Sequence, residues 1–158
     1  YIRIGKKGEK TLTKETTPFK IGHSVNFKKG KDVCLIGSGT IMSEVLEASR
    51  LLEERGVSTH VEGFHTIKPL DTASLKKLFS SFDIISIVEE HSSIGGLFGA
   101  ISEWKALECD LHKTRIISFG TKDEFMHEIG SQKYARKKNE IDALSIFNKT
   151  LKAYQERR

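Results

Sequence analysis

The feature that most constrains the fold is a regular alternation of short apolar runs with longer stretches of helical periodicity. Strands that are joined through helices run parallel, with right-handed crossovers. The pattern therefore predicts an α/β fold in which helices cover both faces of a mostly parallel sheet, a three-layer sandwich. The predicted strands lie at 33–36, 57–63, 84–88 and 115–119, and the predicted helices at 41–52, 72–82, 96–107 and 140–155.

Local signals indicate where several of these elements begin, end and bury their side chains. The run 33–36 contains no polar residue, which is typical of a strand buried on both faces. Asp71 is the predicted N-cap of the second helix, and Gly56 is the predicted stop after the first. Polar and apolar residues alternate along 57–63, so we expect less complete burial of that strand.

Residues 1–31 differ from the rest of the chain because they show no hydrophobic periodicity. A stretch rich in Lys, Glu and Thr is typical of an exposed connecting segment. Residues 1–4 have the composition of a short strand but no visible pairing partner. The length of 158 residues suits one domain, so the predicted division is a connecting segment at 1–31 and an α/β domain at 32–158.

The charge distribution argues against nucleic-acid binding, although the net charge is +5. The lysines cluster at 6–20, 28–31 and 133–138, where Phe19 and Tyr134 are too few to form a stacking platform for bases. A solvated surface, or a face that meets an acidic partner, explains the charge better.

Nothing in the sequence points to a membrane or to secretion. No apolar run approaches the roughly 18–20 residues needed to span a bilayer, and the N-terminus does not resemble a signal peptide. Cys34 and Cys109 lie in apolar contexts without metal-ligand spacing. We expect both to be reduced core residues of a cytoplasmic protein.

Polar segments follow all four predicted strands, where the carboxyl ends of parallel strands meet at one edge of the sheet. Gly37-Ser38-Gly39 resembles the start of a dinucleotide-binding fingerprint, but the third glycine position holds Met42. We therefore predict a tight turn capped by the local Ser and Thr side chains, with anion binding by the backbone amides as an alternative.

The sequence Glu89-Glu90-His91 follows the third strand and offers a possible acid–base pair. Glu89 and His91 would share a side if the strand continues, but no serine, cysteine or metal motif completes a catalytic set. An interface or structural role is therefore the favoured interpretation. Gly95-Gly96 indicates either helix-start geometry or close packing against a partner chain.

Five motifs in order resemble the C-terminal domain of the transketolase family, and the resemblance covers essentially the whole chain. This family also includes deoxyxylulose-phosphate synthase and the beta subunits of 2-oxo-acid dehydrogenases. The motifs are YIRIGK at 1–6, IG at 21–22 with GKDV at 30–33, KPLD at 68–71, VEEHSSIGGL at 88–97 and DEF at 123–125.

The resemblance implies a five-stranded mixed sheet with four parallel strands and one antiparallel strand. It also implies that residues 1–31 are the end of a preceding pyrimidine-binding domain and a linker. The parent enzyme would use thiamine diphosphate and a divalent metal to move a two-carbon ketol unit. Both would be held by the other domains, across a dimer interface, so this chain alone would bind neither cofactor nor metal.

The resemblance carries a few site residues over to this sequence. Arg3 occupies the position of an arginine that lies near the substrate phosphate in some members. Glu90, His91, Gly95 and Gly96 match a segment expected near the subunit contact, whereas no catalytic residue is expected here.

We therefore expect the C-terminal domain or subunit of a transketolase-like transferase of carbohydrate metabolism, inactive alone and contributing to a homodimer. The alternatives are a part of a deoxyxylulose-phosphate synthase or of a 2-oxo-acid dehydrogenase beta subunit, a non-catalytic interaction or anion-binding module, and an independent enzyme that uses Glu89 and His91.

Overall fold

A computed structural model describes residues 1–5, 8–108 and 113–157 of the chain. The prediction for Cys109 falls outside these residues. The strands are β1 Val25–Lys28, β2 Val33–Ser38, β3 Thr59–Gly63, β4 Ile84–Ser92 and β5 Arg115–Thr121. The helices are α1 Met42–Glu54, α2 Thr72–Ser81, α3 Leu97–Leu107, α4 Gln132–Lys138 and α5 Ala143–Gln155, with a 3-10 turn at Gly39–Ile41 before α1.

The five strands form one sheet in the order β1-β3-β2-β4-β5. The pairs β2/β3, β2/β4 and β4/β5 are parallel, and β1 pairs with β3 in the antiparallel direction. The predicted fold class is confirmed, including the single antiparallel strand that the family resemblance implied. The position of this antiparallel strand was not predicted, since β1 lies inside the segment 1–31, which shows no hydrophobic periodicity.

Two apolar clusters pack against opposite faces of the sheet and make the three layers. Alternate residues of β2 point to opposite faces, so Val33 and Leu35 join one cluster while Cys34 and Ile36 join the other. The first cluster is completed by α1 and α5, and the second by α2 and α3. Because both faces of β2 are covered, the predicted full burial of this strand is confirmed.

Polar contacts attach β1 to the sheet and to the start of α2. The backbone N–H of Ser24 donates to Asp71 Oδ2 at 2.8 Å, and its hydroxyl donates to Glu62 Oε1 at 2.6 Å. Asn26 Nδ2 donates to Glu62 Oε2 at 2.9 Å. Asp71 also caps α2 as predicted, since its carboxylate accepts from Ser74 N at 3.0 Å.

The strand at 57–63 is less completely buried than the strand at 33–36, as predicted, since Ser58 and His60 are only half-buried. Thr59 and Val61 are fully buried and Glu62 is 7% exposed, because β1 covers the outer edge of β3 and supplies hydrogen-bond partners for its polar side chains. The predicted stop at Gly56 is confirmed by a φ of 75°, a left-handed conformation that suits glycine.

The segment before β1 has no regular secondary structure where it is described. The strand predicted at residues 1–4 does not form there, and the side chains of Tyr1, Ile2 and Ile4 are exposed. Further along, Leu12 packs against the first apolar cluster and Phe19 stacks on His65 with ring centroids 3.9 Å apart. In the part of the chain that is described, no helix has the length and apolar character to cross a bilayer.

Candidate functional site

The four polar segments predicted at the carboxyl edge of the sheet do meet there, since β2, β3, β4 and β5 all run in the same direction. The ends of β2 and β3 are tied by a hydrogen bond of 2.8 Å from Phe64 N to Gly37 O. The ends of β4 and β5 are tied by pairing of Ser92 with Thr121, after an irregularity that follows Val88. This edge is where parallel α/β sheets place their ligands and partners.

Glu89 is a structural carboxylate at this edge. Its side chain is buried and accepts hydrogen bonds from Leu97 N at 2.8 Å and Phe98 N at 3.0 Å. These are two of the four amide groups that the first turn of a helix leaves without partners, so Glu89 caps α3 from the preceding strand. A carboxylate at this position also interacts favourably with the helix dipole.

The acid–base pair of Glu89 and His91 does not form. Glu89 is occupied by the amides of α3, and His91 is exposed with its Nδ1 atom 2.9 Å from Ser92 O. The alternative interpretation of this segment as a catalytic pair is therefore not supported, because the two side chains have different partners.

Gly95 and Gly96 begin α3 in two different ways. Gly95 has a φ of 77°, the left-handed region in which glycine is favoured. A Cβ atom on Gly96 would lie 1.9 Å from Glu89 Oε2, so only glycine leaves room for the capping carboxylate. Helix-start geometry is confirmed for both glycines, and their packing against a partner chain stays a prediction.

Glu90 forms the centre of an ion network that joins four elements. Its carboxylate accepts from Arg136 Nε at 2.9 Å and Nη2 at 2.8 Å, and from Thr40 Oγ1 at 2.6 Å. Arg136 Nη1 also donates to Glu44 Oε1 at 3.2 Å, while Glu44 Oε2 accepts from Ala143 N at 2.9 Å. The network therefore holds the start of α1, the end of β4, α4 and the start of α5 together.

The environment of Glu90 keeps its side chain ionised. Burial is the largest single influence and raises its pKa, but the hydrogen bonds from Arg136 and Thr40 and the charge of Arg136 together outweigh burial. The pKa of Glu90 lies below its ordinary value. A carboxylate in this state is a poor proton donor near neutral pH, so Glu90 is suited to structural work.

Sequence reasoning missed the role of Arg136, which stood within the lysine-rich run at 133–138. Its side chain is only 8% exposed although its helix neighbours are exposed. The sequence contains no local signal for this burial, since Glu90 lies 46 positions away and Glu44 lies 92 positions away.

A cleft of about 410 Å³ lies between the N-terminal segment and the ends of β2 and β3. Arg3, the predicted phosphate contact, lies on its lining together with Thr40 and His65. Thr40 also donates to Glu90, so the cleft and the Glu90 network meet at this residue. The apolar part of the lining includes Leu12, Phe27, Met42 and Phe64.

The turn beside the cleft is tight, as predicted, but its side chains do not cap the helix. Gly39 has a φ of 71°, and Ser38 makes no capping hydrogen bond through its side chain. Thr40 is directed to Glu90 instead. The predicted cap was therefore wrong because the end of β4 competes for the threonine hydroxyl.

His65 lines the cleft as a neutral imidazole. Burial, and then the charge of His23, lower its pKa from the ordinary value. Its Nδ1 atom lies 2.9 Å from Thr66 Oγ1. Its Nε2 atom is buried without a hydrogen-bond partner among the described residues, beneath the ring of Phe19 that stacks on it.

The described residues do not fit the divalent metal that the resemblance implies for the parent enzyme. No group of three or more His, Cys, Asp or Glu side chains among them could hold a metal ion. The carboxylates at the sheet edge are engaged by backbone amides and by Arg136.

Comparison with known proteins gives one consistent group of relatives. The family model "Transketolase, C-terminal domain" matches residues 22–141. The 1-deoxy-D-xylulose-5-phosphate synthase of Dictyoglomus thermophilum is 36% identical over 113 residues, which are 72% of this chain and 18% of that protein. The putative transketolase C-terminal section of Methanocaldococcus jannaschii is 35% identical over 105 residues, which are 65% of this chain and 32% of that protein.

A solved structure described as a split gene transketolase, an inactive beta4 tetramer, superimposes with a TM-score of 0.85 at 26% identity. The superposition covers 96% of this chain and 48% of that one. This chain therefore spans between 18% and 48% of the length of these three relatives.

Proposed function

Because this chain belongs to the transketolase C-terminal domain family, we propose that it is the C-terminal section of a thiamine-diphosphate-dependent transferase. The transferase would move a two-carbon ketol unit between sugar phosphates. The observation that carries this proposal is the family match across 22–141, together with the superposition on half of a split gene transketolase. In this proposal, the residues before β1 are the end of a pyrimidine-binding domain and its linker.

The role proposed for the chain within that enzyme is scaffolding and subunit contact. Its two carboxylates at the sheet edge support this role, since Glu89 caps α3 and Glu90 is paired with Arg136. Neither is available to move a proton to or from a substrate. The chemistry would belong to the cofactor and to the other domains of the enzyme.

Exposure divides the predicted site residues into two groups. Arg3, His91 and Gly95 are exposed, so a substrate phosphate could reach the first and a partner subunit the other two. Glu90 is half-buried and Gly96 is buried, so these residues would act by shaping the contact surface. Homodimer contact through this segment and a cytoplasmic location belong to the same proposal.

A comparison between the activity of the complete enzyme and that of the isolated chain tests the proposal. The complete enzyme should transfer a ketol unit from a ketose phosphate to an aldose phosphate when thiamine diphosphate and Mg²⁺ are added. The isolated chain should show neither this activity nor heat of binding in calorimetric titration with thiamine diphosphate. Micromolar cofactor binding by the isolated chain would contradict the scaffolding role.

A second candidate is the corresponding section of a 1-deoxy-D-xylulose-5-phosphate synthase, favoured by the 36% identity to the Dictyoglomus thermophilum enzyme. The same preparation distinguishes the two candidates when it is supplied with pyruvate and an aldose phosphate. Carbon dioxide release from pyruvate would favour the synthase. Transfer from a ketose phosphate without use of pyruvate would favour the transketolase.

A further inference from the structure

The cleft beside the ends of β2 and β3 reaches the apolar core of the domain. Phe64 and Met42 of its lining are almost fully buried, and they belong to the two apolar clusters on opposite faces of the sheet. Leu12 and Phe27 of the lining are partly buried and pack against the first cluster. A volume of about 410 Å³ lies within the range of pockets that hold small molecules. The cleft therefore offers an apolar interior of the size that a small ligand needs.

His65 supplies a polar atom to this apolar lining. Its Nδ1 atom lies 2.9 Å from Thr66 Oγ1, whereas its buried Nε2 atom has no hydrogen-bond partner among the described residues. Buried polar atoms in folded proteins nearly always have a partner, so a partner from outside the chain explains this exception. A hydroxyl group fits either tautomer of the imidazole, because a hydroxyl both donates and accepts a hydrogen bond.

The ring of Phe19 covers the imidazole but is weakly held. The two rings stack with centroids 3.9 Å apart, yet Phe19 is 71% exposed and the segment around it has no regular secondary structure. Displacement of this ring removes little apolar area from the protein interior and therefore costs little free energy. A ligand ring that takes the place of Phe19 would reach Nε2 from the cleft.

The charged side chains of the lining favour neither an anion nor a cation. Arg3 and Lys10 are exposed cations, and Glu9 is an exposed anion. The imidazole is neutral near neutral pH, because burial, followed by the charge of His23, lowers the pKa of His65. An ion in the apolar interior would lose its hydration without gaining a buried counter-charge. An uncharged ligand therefore suits the interior best.

We propose that this cleft binds an uncharged, mainly apolar small molecule through one hydroxyl group that pairs with His65 Nε2. The apolar body of the ligand would lie against Met42, Phe27 and Phe64, and a ring would stack on the imidazole. Arg3 is not used by this ligand and stays available for the phosphate contact predicted above. The proposal rests on the residues of the cleft and does not depend on the proposed function.

Three one-ring probes and two methionine signals test the proposal. Phenol carries a hydroxyl group, toluene carries a methyl group of similar shape, and benzoate carries a negative charge. The chain contains two methionines, of which Met42 lies on the lining of the cleft and Met126 lies in the segment after β5. The full chain, with isotope-labelled methionine methyl groups, is titrated with each probe and followed by NMR. The Met42 signal then reports the cleft, and the Met126 signal reports non-specific binding.

We expect phenol to shift the Met42 signal with an affinity at least about fivefold higher than that of toluene, the factor that one net hydrogen bond supplies. His65→Phe keeps a ring but lacks Nε2, so this variant should bind phenol and toluene equally. His127→Phe makes the same exchange at an exposed position that is not on the lining of the cleft. This control variant should keep the preference for phenol.

The parent chain can overturn the proposal without any variant. Equal affinities for phenol and toluene would show that the cleft does not recognise a hydroxyl group. Tighter binding of benzoate than of phenol would show an anion site instead. The absence of a shift at Met42, or an equal shift at Met126, would show that the cleft is not a binding site.

Discussion

Glu89 and Glu90 are neighbours in the chain, and their carboxylates stabilise different parts of the molecule. One is buried against the first amides of α3 and the other is paired with a nearly buried arginine. Successive side chains of a strand point to opposite faces, so this division follows from the continuation of β4 through both residues. The role of each carboxylate is therefore set by its own hydrogen-bond partners.

Replacement of Gly96 should destabilise the fold sharply. In Gly96→Ala the new methyl group would displace the Glu89 carboxylate from Leu97 N and Phe98 N, leaving a buried charge and two amides without partners. We expect a loss of about 2–4 kcal/mol in the free energy of unfolding, measured by urea denaturation.

Gly99→Ala is the control for this prediction, because it also adds a methyl group to α3. The nearest atom to a Cβ at this position is Ser93 O, at 3.9 Å, which leaves room. Alanine is the better helix former by up to about 1 kcal/mol, so this variant should be neutral or more stable. Equal losses in the two variants would show that the cap on α3 is not the cause.

The elements differ in what holds them to the core. The helices α1, α2, α3 and α5 pack through apolar side chains, whereas α4 contributes Arg136 to an ion network and β1 is joined to Glu62 and Asp71 by hydrogen bonds. The first group was predicted from hydrophobic periodicity. Neither α4 nor β1 was predicted, because a basic helix of seven residues and a strand of four residues carry no apolar repeat.

Removal of the arginine should release α4 from the rest of the domain. Arg136→Met leaves Glu90 and Glu44 without their shared cation, and the loss of one partner of a largely buried ion pair costs about 3 kcal/mol. Lys133→Met, on an exposed part of the same helix, should change the free energy of unfolding by less than about 0.5 kcal/mol. Hydrogen exchange of the α4 amides would show the release directly.

The loss of folding stability at low pH should depend on Glu62. Burial, the largest influence, raises its pKa, but hydrogen bonds from His60, Ser24 and Asn26 together hold it below the ordinary value. The unfolded chain then binds more protons at low pH, so this contribution is complete above about pH 4.3 and is lost as pH falls through the folded pKa. In Glu62→Gln the free energy of unfolding should fall less steeply as the pH drops below about 4.3.

A matched comparison for the pH experiment is Glu103→Gln, an exposed position on α3. This variant should retain the acid slope of the parent chain. If Glu62→Gln kept the same slope as well, the hydrogen bonds that join Glu62 to β1 would not be the source of the acid dependence.

At the scale of the whole molecule, the central position of β2 makes the domain one cooperative unit. Cys34 lies on this strand, fully buried between β3 and β4, and burial, followed by the charge of Glu62, raises the pKa of its thiol well above the ordinary value. Local opening cannot expose a side chain at this position without loss of the sheet.

Thiol labelling should therefore report global unfolding. In a Cys109→Ser background, Cys34 should react with a disulfide reagent only through the unfolded state, with a urea dependence equal to that of global unfolding. Labelling that is fast in the absence of urea would show that the two halves of the sheet open separately.

The sequence alone determined the parallel strands, their covering helices and the family resemblance, because apolar periodicity and turn residues are local properties of the chain. The tertiary structure decided which polar residues work together. Glu90 meets Arg136 across 46 positions, and β1 pairs with β3 at residues 38 positions apart or fewer. Such contacts depend on the order of the strands in the sheet, and no local sequence pattern predicts that order.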